Sequence, residues 1–421
     1  MLSKPISKIA KRVSSGLTPL RNNPDFWKNG TIPWLKTEQL GEKYIYETSE
    51  KISELALRKT SIKVCPKNTL SIAMYGEGKT RGNVSIIKAE MATNQACCNV
   101  EVDPELADYE YVYYFLKTQY DQLRNLSSGV RKNLNSNDIR NFVVRLPKQV
   151  REQKKIAAVL SSLDAKIELN NRINAELEAM AKTLYDYWFV QFDFPDKGGK
   201  PYKSSGGKMV YNDTLKREIP AGWSACDLSA IISRSGTGLN PRDNFKLGSG
   251  ENFYVTIKSI DNGKITLDDK CDKVDDEALK IIDNRSQLRA GDVLFTSIEP
   301  VGTTYLIQKK PSNWNINESV FTIRPNYKKI SSEYLYMLLS SAEMKAFTEN
   351  VSYGSIHKGI RHGVLKTFKL PYNNIETINI FSNIVRPTLR EIYNLNQESQ
   401  QLTQLRDWLL PMLMNGQVTV T

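Results

Sequence analysis

The chain has 421 residues and a formal net charge of +12, with only two histidines and five cysteines. That length suits two or three domains of roughly 150 residues, and 40% hydrophobic with 25% charged residues excludes a disordered chain. Cys65, Cys97, Cys98, Cys226 and Cys271 form no CxxC pair, which argues against a disulfide framework or a zinc site. His357 and His362 alone offer little for a histidine-based metal site or general base. No metal-ligating residue is expected, while Asp, Glu or Lys chemistry stays open.

Residues 1–15 carry Lys4, Lys8, Lys11 and Arg12 but no continuous apolar core of a signal peptide. No stretch approaches the roughly 18 apolar residues of a membrane span. A cytoplasmic protein without a membrane partner is expected. The basic balance favours nucleic acid as partner, because Lys and Arg neutralise phosphates and release counterions.

In chain order, residues 69–74, 83–87 and 142–146 read as short strands, with residues 109–126 as a helix among them. A long helix follows over 149–192. Its heptad seam is Ile156, Leu160, Leu163, Ile167, Leu177, Leu184 and Trp188, with Asn170, Asn174 and Ala181 at the intervening positions. Residues 193–222, rich in Gly, Lys, Ser and Pro, read as a linker. Then the order recurs: strands at 292–297 and 319–323, a helix at 332–351, and a second long helix over 373–416. Its seam is Phe381, Val385, Ile392, Leu395, Leu402, Leu409 and Leu413, with Thr388, Ser399 and Arg406 as polar members. Pro387 departs from this pattern and is expected to kink or break the helix.

This is an internal repeat with a period of about 224 residues. Ser15-Gly16-Leu17-Thr18-Pro19 resembles residues 235–241, and Trp34-Leu35-Lys36-Thr37 matches Thr256-Ile257-Lys258-Ser259. Residues 66–82 align with 290–306, Asn94-Gln95-Ala96 with Asn317-Glu318-Ser319, and Glu110-Tyr111-Val112-Tyr113 with Glu333-Tyr334-Leu335-Tyr336. The expected fold is α+β. Two similar globular domains, 1–148 and 223–372, are separated by two long helices that bury their seams in an antiparallel coiled coil, with pseudo-two-fold symmetry. Such a protein suits an asymmetric two-part ligand; on duplex DNA that means two half-sites at a fixed spacing.

The sequence Glu152-Gln153-Lys154-Lys155-Ile156-Ala157-Ala158-Val159-Leu160 resembles the spacer helix of type I restriction-modification specificity subunits. So do Leu184-Tyr185-Asp186-Tyr187-Trp188-Phe189-Val190-Gln191-Phe192-Asp193-Phe194-Pro195 and Glu218-Ile219-Pro220-Ala221-Gly222-Trp223. The resemblance spans essentially the whole chain. It implies a non-catalytic subunit with two target-recognition domains that reads an asymmetric bipartite site. It also implies two modification subunits that bind S-adenosylmethionine and methylate adenine N6, and two restriction subunits that use ATP and Mg. No cofactor is expected in this chain. The second helix lacks the Glu-Gln motif of the first. The same residues leave open a free-standing two-site DNA-binding regulator.

Three motifs are set aside. Residues 73–80 fit a relaxed phosphate loop, but a turn and strand follow where a helix is needed. Asn23-Pro24-Asp25-Phe26 resembles an adenine methyltransferase motif but has no glycine-rich cofactor loop, and reads as a turn. Pro195-Asp196 opens a nuclease-like pattern with no Glu-x-Lys on a strand after it.

Base and phosphate contacts are expected from strand-end loops. In the first domain these are Lys36, Thr37, Tyr75, Lys79, Thr80, Arg81, Asn94, Gln95, Arg131, Lys132 and Asn133, with Gly129 allowing close backbone approach. In the second they are Lys258, Ser259, Glu299, Thr303, Thr304, Tyr305, Asn317, Tyr353, Ser355, His357, Lys358 and Arg361. Glu299 could accept from cytosine N4, and Asn94 and Asn317 have turn formation as their alternative. Tyr187, Trp188, Phe189, Trp408 and Met412 are bulky helix-end residues that read as partner surfaces or as caps of the coiled coil.

Overall fold

The computed structural model describes residues 1–76, 79–126, 133–261, 263–352 and 359–420. The chain divides into two compact units, Met1–Ile167 with Gln401–Thr421, and Glu168–Gln400. The division falls inside both long helices.

In the first unit a five-stranded sheet has the spatial order Ala10–Ser15, Cys97–Val102, Leu70–Ala73, Val84–Ile87, Tyr44–Ile45. The central strands Leu70–Ala73 and Val84–Ile87 are buried on both faces, with Ser71 and Ser85 paired across one of them. Beside it, Ile32–Leu35 pairs antiparallel with Glu50–Ile52 and parallel with Ala92–Thr93. Leu2–Pro5 and Val143–Leu146 pair antiparallel where the chain enters and leaves the domain. The helix Tyr109–Thr118 starts at Asp108, whose carboxylate accepts from Tyr111 N at 2.9 Å, satisfying one of its free N–H groups. A second short helix, Tyr120–Asn125, follows, so the single helix expected over 109–126 is two, with Gln119 at the join.

The second unit repeats this arrangement except that its main sheet has no strand in the place of Tyr44–Ile45. Its four-stranded sheet has the order Ile232–Thr237, Val320–Pro325, Val293–Thr296, Thr304–Leu306. Asn252–Val255 pairs antiparallel with Asp272–Val274 and parallel with Trp314–Ile316. Ser224–Asp227 and Lys369–Tyr372 form the entry and exit pair. Even a register irregularity recurs, between Ala10 and Arg12 in one copy and between Ile232 and Arg234 in the other. The helical region is again split, into Ser332–Leu339 and Ala342–Val351. One difference is large: Glu54–Lys59 is a short helix in the first copy, whereas its counterpart Asp276–Ser286 has 11 residues.

The long helices are Val150–Tyr185, continued by a π-helical turn Asp186–Val190, and Ile375–Met414. Within the second unit Asn170 Nδ2 donates to Glu398 Oε2 at 2.7 Å and Asn174 Nδ2 to Asn396 Oδ1 at 2.9 Å. Partner numbers fall as the first helix advances, so the pair is antiparallel. Phe381, Val385, Ile392 and Leu395 are buried on this seam, while Leu177 and Leu184 are half-buried. Within the first unit Ile156 and Leu160 are buried in one cluster with Leu413 and Met414, with Leu409 packed against it. Leu163, Ile167 and Leu402 are half-buried. Asp164 accepts from Arg406 Nη1 at 3.0 Å.

A half-buried polar junction seats the first domain on its helix. Lys43 Nζ donates to Tyr114 OH at 2.7 Å and Ser161 Oγ at 3.1 Å, and Tyr44 OH donates to Glu110 Oε1 at 2.6 Å. Burial pulls the Lys43 ammonium below its ordinary range, against the pull of Glu110 and Asp164.

Three expectations need correction. Pro387 does not break the second helix, which runs unbroken through it. The proline is exposed, while Ser382, Val385 and Leu389 on the other face are buried. Their packing outweighs the roughly 3 kcal/mol of a mid-helix proline. Trp188 and Phe189 are not surface residues: at 5% and 3% exposure they pack with Tyr185, Tyr334 and Phe381, so they cap the helical seam. Tyr187 and Trp408 are exposed and Met412 is half-buried. The linker over 193–222 is folded. Asp193 accepts from Ser204 N at 2.7 Å and Ser204 Oγ at 2.5 Å, Phe194 stacks between Tyr202 and Trp223, and Met209–Asn212 forms a hairpin with Arg217–Pro220.

Candidate nucleic-acid interface

In the first domain backbone hydrogen bonds gather the strand-end segments into one rim. Leu17 N donates to Thr93 O at 2.9 Å, Asn94 N to Leu35 O at 2.9 Å, Met74 N to Ala96 O at 2.8 Å and Leu134 N to Met74 O at 3.1 Å. This brings Thr37, Tyr75, Asn94, Gln95 and Asn133 together. Gly16 is required there: a Cβ would stand 2.1 Å from Thr93 O. Gln95 is exposed and accepts from Thr18 Oγ1; Tyr75 is 40% exposed, and Lys79 is exposed. Thr80 is half-buried beside Gly76, and Arg81 is half-buried.

The second domain builds the same rim. Asn317 N donates to Val255 O at 2.9 Å, Ser297 N to Ser319 O at 2.9 Å and Ile360 N to Ser297 O at 2.8 Å. Gly238 stands where Gly16 does, its Cβ position 1.8 Å from Ile316 O. Lys258, Glu299 and Arg361 are exposed, and Thr303 is half-buried. Gly129, Arg131, Lys132, Tyr353, Ser355, His357 and Lys358 lie outside the described residues.

Several expected readers hold the rim instead. Asn94 Oδ1 accepts from Ala96 N at 3.1 Å and Asn317 Oδ1 from Ser319 N at 3.1 Å, the same Asx turn in both copies. Lys36 Nζ pairs with Glu38 at 2.5 Å and Glu50 at 2.8 Å. Those hydrogen bonds, the one to Glu38 first, hold its ammonium above the ordinary lysine range. Ser259 is buried, Thr304 is bonded to Ser340, and Tyr305 lies in an apolar core with Trp314 and Leu294. Thr304 and Tyr305 sit on a strand whose short length the sequence does not mark.

The matching bonds also correct the repeat register. Lys36 and Thr256 both precede a short 3-10 turn, so Lys258 corresponds to Glu38 and not to Lys36. Four exposed or rim positions then differ in chemistry on a common backbone: Tyr75 and Ile298, Gln95 and Glu318, Glu38 and Lys258, Asn135 and Arg361. Ile298, Glu318 and Asn135 were not expected from the sequence; the corrected register was the signal for them. Arg21 was also missed. It lies 3.9 Å over Trp27, pairs with Glu50 and braces the loop beside Lys36.

Among the described residues no group of His, Cys, Asp or Glu could hold a metal ion, and no helix is long and apolar enough to cross a membrane. Two copies of one loop-bearing scaffold joined to a helical pair define a duplicated specificity fold. Residues 4–179 and 232–404 match the family described as type I restriction modification DNA specificity domain, so the chain belongs to that family. The type I restriction enzyme MjaIX specificity subunit of Methanocaldococcus jannaschii is 27% identical over 428 residues, covering 97% of this chain and 91% of that protein. The type I restriction enzyme EcoBI specificity subunit of Escherichia coli is 27% identical over 292 residues, 67% and 59% of the respective chains. The crystal structure of a type I restriction-modification S subunit from M. genitalium has the same fold, with a TM-score of 0.61 at 16% identity over 98% of this chain and 95% of that one.

Proposed function

We propose that this chain is the non-catalytic, DNA-reading subunit of a type I restriction-modification complex, in which each globular domain reads one half of an asymmetric bipartite duplex site. The observation that carries this reading is the pair of rims: one backbone scaffold, held by the same turn at Asn94 and Asn317, presents different side chains in each copy. Identical scaffolds with different donors and acceptors suit two different half-sites. The reading domains would be residues 1–148 and 223–372, with 149–192 and 373–416 as helices that set the spacing and receive two modification subunits. In this reading S-adenosylmethionine, ATP and Mg belong to the modification and restriction partners. The exposed rim residues Tyr75, Lys79, Gln95, Lys258, Glu299 and Arg361 and the half-buried Thr37, Asn133 and Thr303 are the proposed contacts.

The test is a methylome. The chain is co-expressed with its modification subunit in a host lacking adenine methylation, and N6-methyladenine is mapped. One asymmetric two-part motif with a fixed gap, absent when this chain is omitted, is the expected result. No chain-dependent methylation from soluble, co-purified partners would overturn the reading in favour of a free-standing DNA-binding regulator.

A further inference from the structure

The two copies seat their domains on the long helices in different ways. In the first, Lys43 fills the corner between domain and helix. Its ammonium reaches Tyr114 OH and Ser161 Oγ, with Glu110 at 3.9 Å and Asp164 at 3.5 Å as counterions. The internal repeat locates the matching corner in the second copy. Glu110 and Glu333 open equivalent helices, and each accepts from the adjoining long helix, from Ser161 in one copy and from Arg386 in the other. The buried residues Ile156 and Leu160 correspond in the same register to Phe381 and Val385. Met337 then stands at the position of Tyr114, and Leu389 at that of Asp164. With these apolar residues, and with the chain approaching at Gly263, the corner becomes a cavity of about 270 Å³.

Met337 and Leu389 give this cavity an apolar lining, and Glu178, Thr304 and Tyr336 a polar one. The polar groups converge. A Cβ on Gly263 would stand 2.7 Å from Tyr336 OH and 3.9 Å from Glu178 Oε1, so the bare glycine leaves a point within reach of both. Thr304 is 5% exposed. Ser340 Oγ donates to Tyr336 O at 2.7 Å, so the 2.7 Å bond between Thr304 and Ser340 is donated by Thr304, whose lone pairs stay open as acceptors. Glu178 makes no hydrogen bond or ion pair among the described residues. Burial first, and Asp261 second, push its carboxyl above the ordinary range. Asp261 is exposed on the hairpin and is also without an ion pair among the described residues. Acceptors and uncompensated negative charge beside an apolar lining suit an organic cation. One carboxylate among hydroxyls falls short of the six to eight oxygens of a calcium site.

We propose that this cavity binds a short aliphatic diamine, with one ammonium donating to Glu178, Thr304 and Tyr336 OH, the methylenes against Met337 and Leu389, and the second ammonium toward Asp261. The ligand supplies in the second copy the half-buried cation that Lys43 supplies in the first. It ties the helix Val150–Tyr185, which carries Glu178, to the strand Thr304–Leu306 and the helix Ser332–Leu339. Lys182, exposed, is the one cation lining the cavity and opposes the ligand's charge. The proposal does not depend on the DNA-reading function.

The experiment is isothermal titration of the full chain, free of DNA, with cadaverine and with n-pentylamine as its single-ammonium counterpart. Wild type should bind cadaverine at a single saturable site, more tightly than n-pentylamine. Glu178→Gln keeps the side-chain shape and should weaken cadaverine by about tenfold or more, the cost of a lost hydrogen bond to a charged group. Asp261→Asn should weaken cadaverine and leave n-pentylamine unchanged, and Lys182→Ala should tighten both. Glu176→Gln, exposed on the same helix, should bind as wild type does. Without ligand, Glu178→Gln should melt at or above the wild-type midpoint, because it removes an unpaired, desolvated carboxylate; a lower midpoint would overturn the assignment of Glu178 as unpartnered. No saturable binding, or equal binding by wild type and Glu178→Gln, overturns the site. Equal affinity for the two amines in wild type overturns the diamine as its ligand.

Discussion

Replacing Arg324 by Met should destabilise the second unit selectively. Asp292 is fully buried, and its carboxylate accepts from Arg324 Nε at 2.7 Å, from Arg324 Nη2 at 2.8 Å and from Arg289 N at 2.9 Å. Arg324 also donates to Gln287 O at 2.7 Å. Removing the guanidinium leaves a charge in the core with a single backbone donor, which costs about 3–5 kcal/mol. For a unit of this size each kcal/mol lowers Tm by about 2–4 °C, so a drop on the order of 10 °C is expected. The first domain shows that the fold does not need the pair: the position of Asp292 holds Thr69, whose hydroxyl bonds Pro66 O at 2.7 Å. The double variant Asp292→Thr/Arg324→Met should therefore recover most of the loss. Calorimetry of the full chain reads the shift, and hydrogen exchange on Val320–Pro325 assigns it to the second unit. A shift below about 2 °C for the single variant, or a double variant worse than the single, would refute the buried-charge argument.

Asn170→Leu should raise the melting midpoint of the helical pair, since Asn170 is fully buried with its Oδ1 unpartnered and an apolar seam residue is the more stable choice; a lower midpoint by calorimetry would contradict this. Asp193→Asn tests the folded linker. The Ser204 side-chain and backbone hydrogen bonds hold the Asp193 carboxyl below its ordinary 3.8, so its contribution is present above that value and lost as pH falls through the lower folded value. The variant should be less stable than wild type near neutrality and match it in strong acid, as acid titrations of Tm would show. Cys97 and Cys98, whose thiols burial pushes up to about 12, and Cys65, pushed up to about 11, should resist thiol reagents at pH 8 until the chain unfolds; rapid labelling of the native protein, read by peptide mass, would contradict that. Tyr305→Ala should lower stability by about 3–5 kcal/mol through loss of a core aromatic, and leave the methylated motif unchanged.

Much of this architecture was written in the chain. The heptad stripe from Ile156 to Leu184 and its counterpart from Phe381 to Leu409 specify long helices, because a narrow apolar seam at that spacing has few other ways to leave water. The duplicated strand and helix order is legible for a similar reason: strand periodicity, bounding turn residues and the Glu-Tyr-x-Tyr helix starts at Glu110 and Glu333 are local signals. Local signals do not report what lies opposite. Whether Lys36 faces solvent or two carboxylates depends on Glu50, brought in by strand pairing. Whether Tyr305 reads or packs depends on Trp314, and whether Trp188 is a surface or a cap depends on Phe381. Pro387 failed to break its helix because tertiary packing on the far face exceeded a local penalty. The true register between the copies, which exchanges Glu38 for Lys258, came only from matched backbone bonds. Sequence determines which residues want to be buried and at what spacing; only the folded chain decides which partners, distant along it, share the charge and the space.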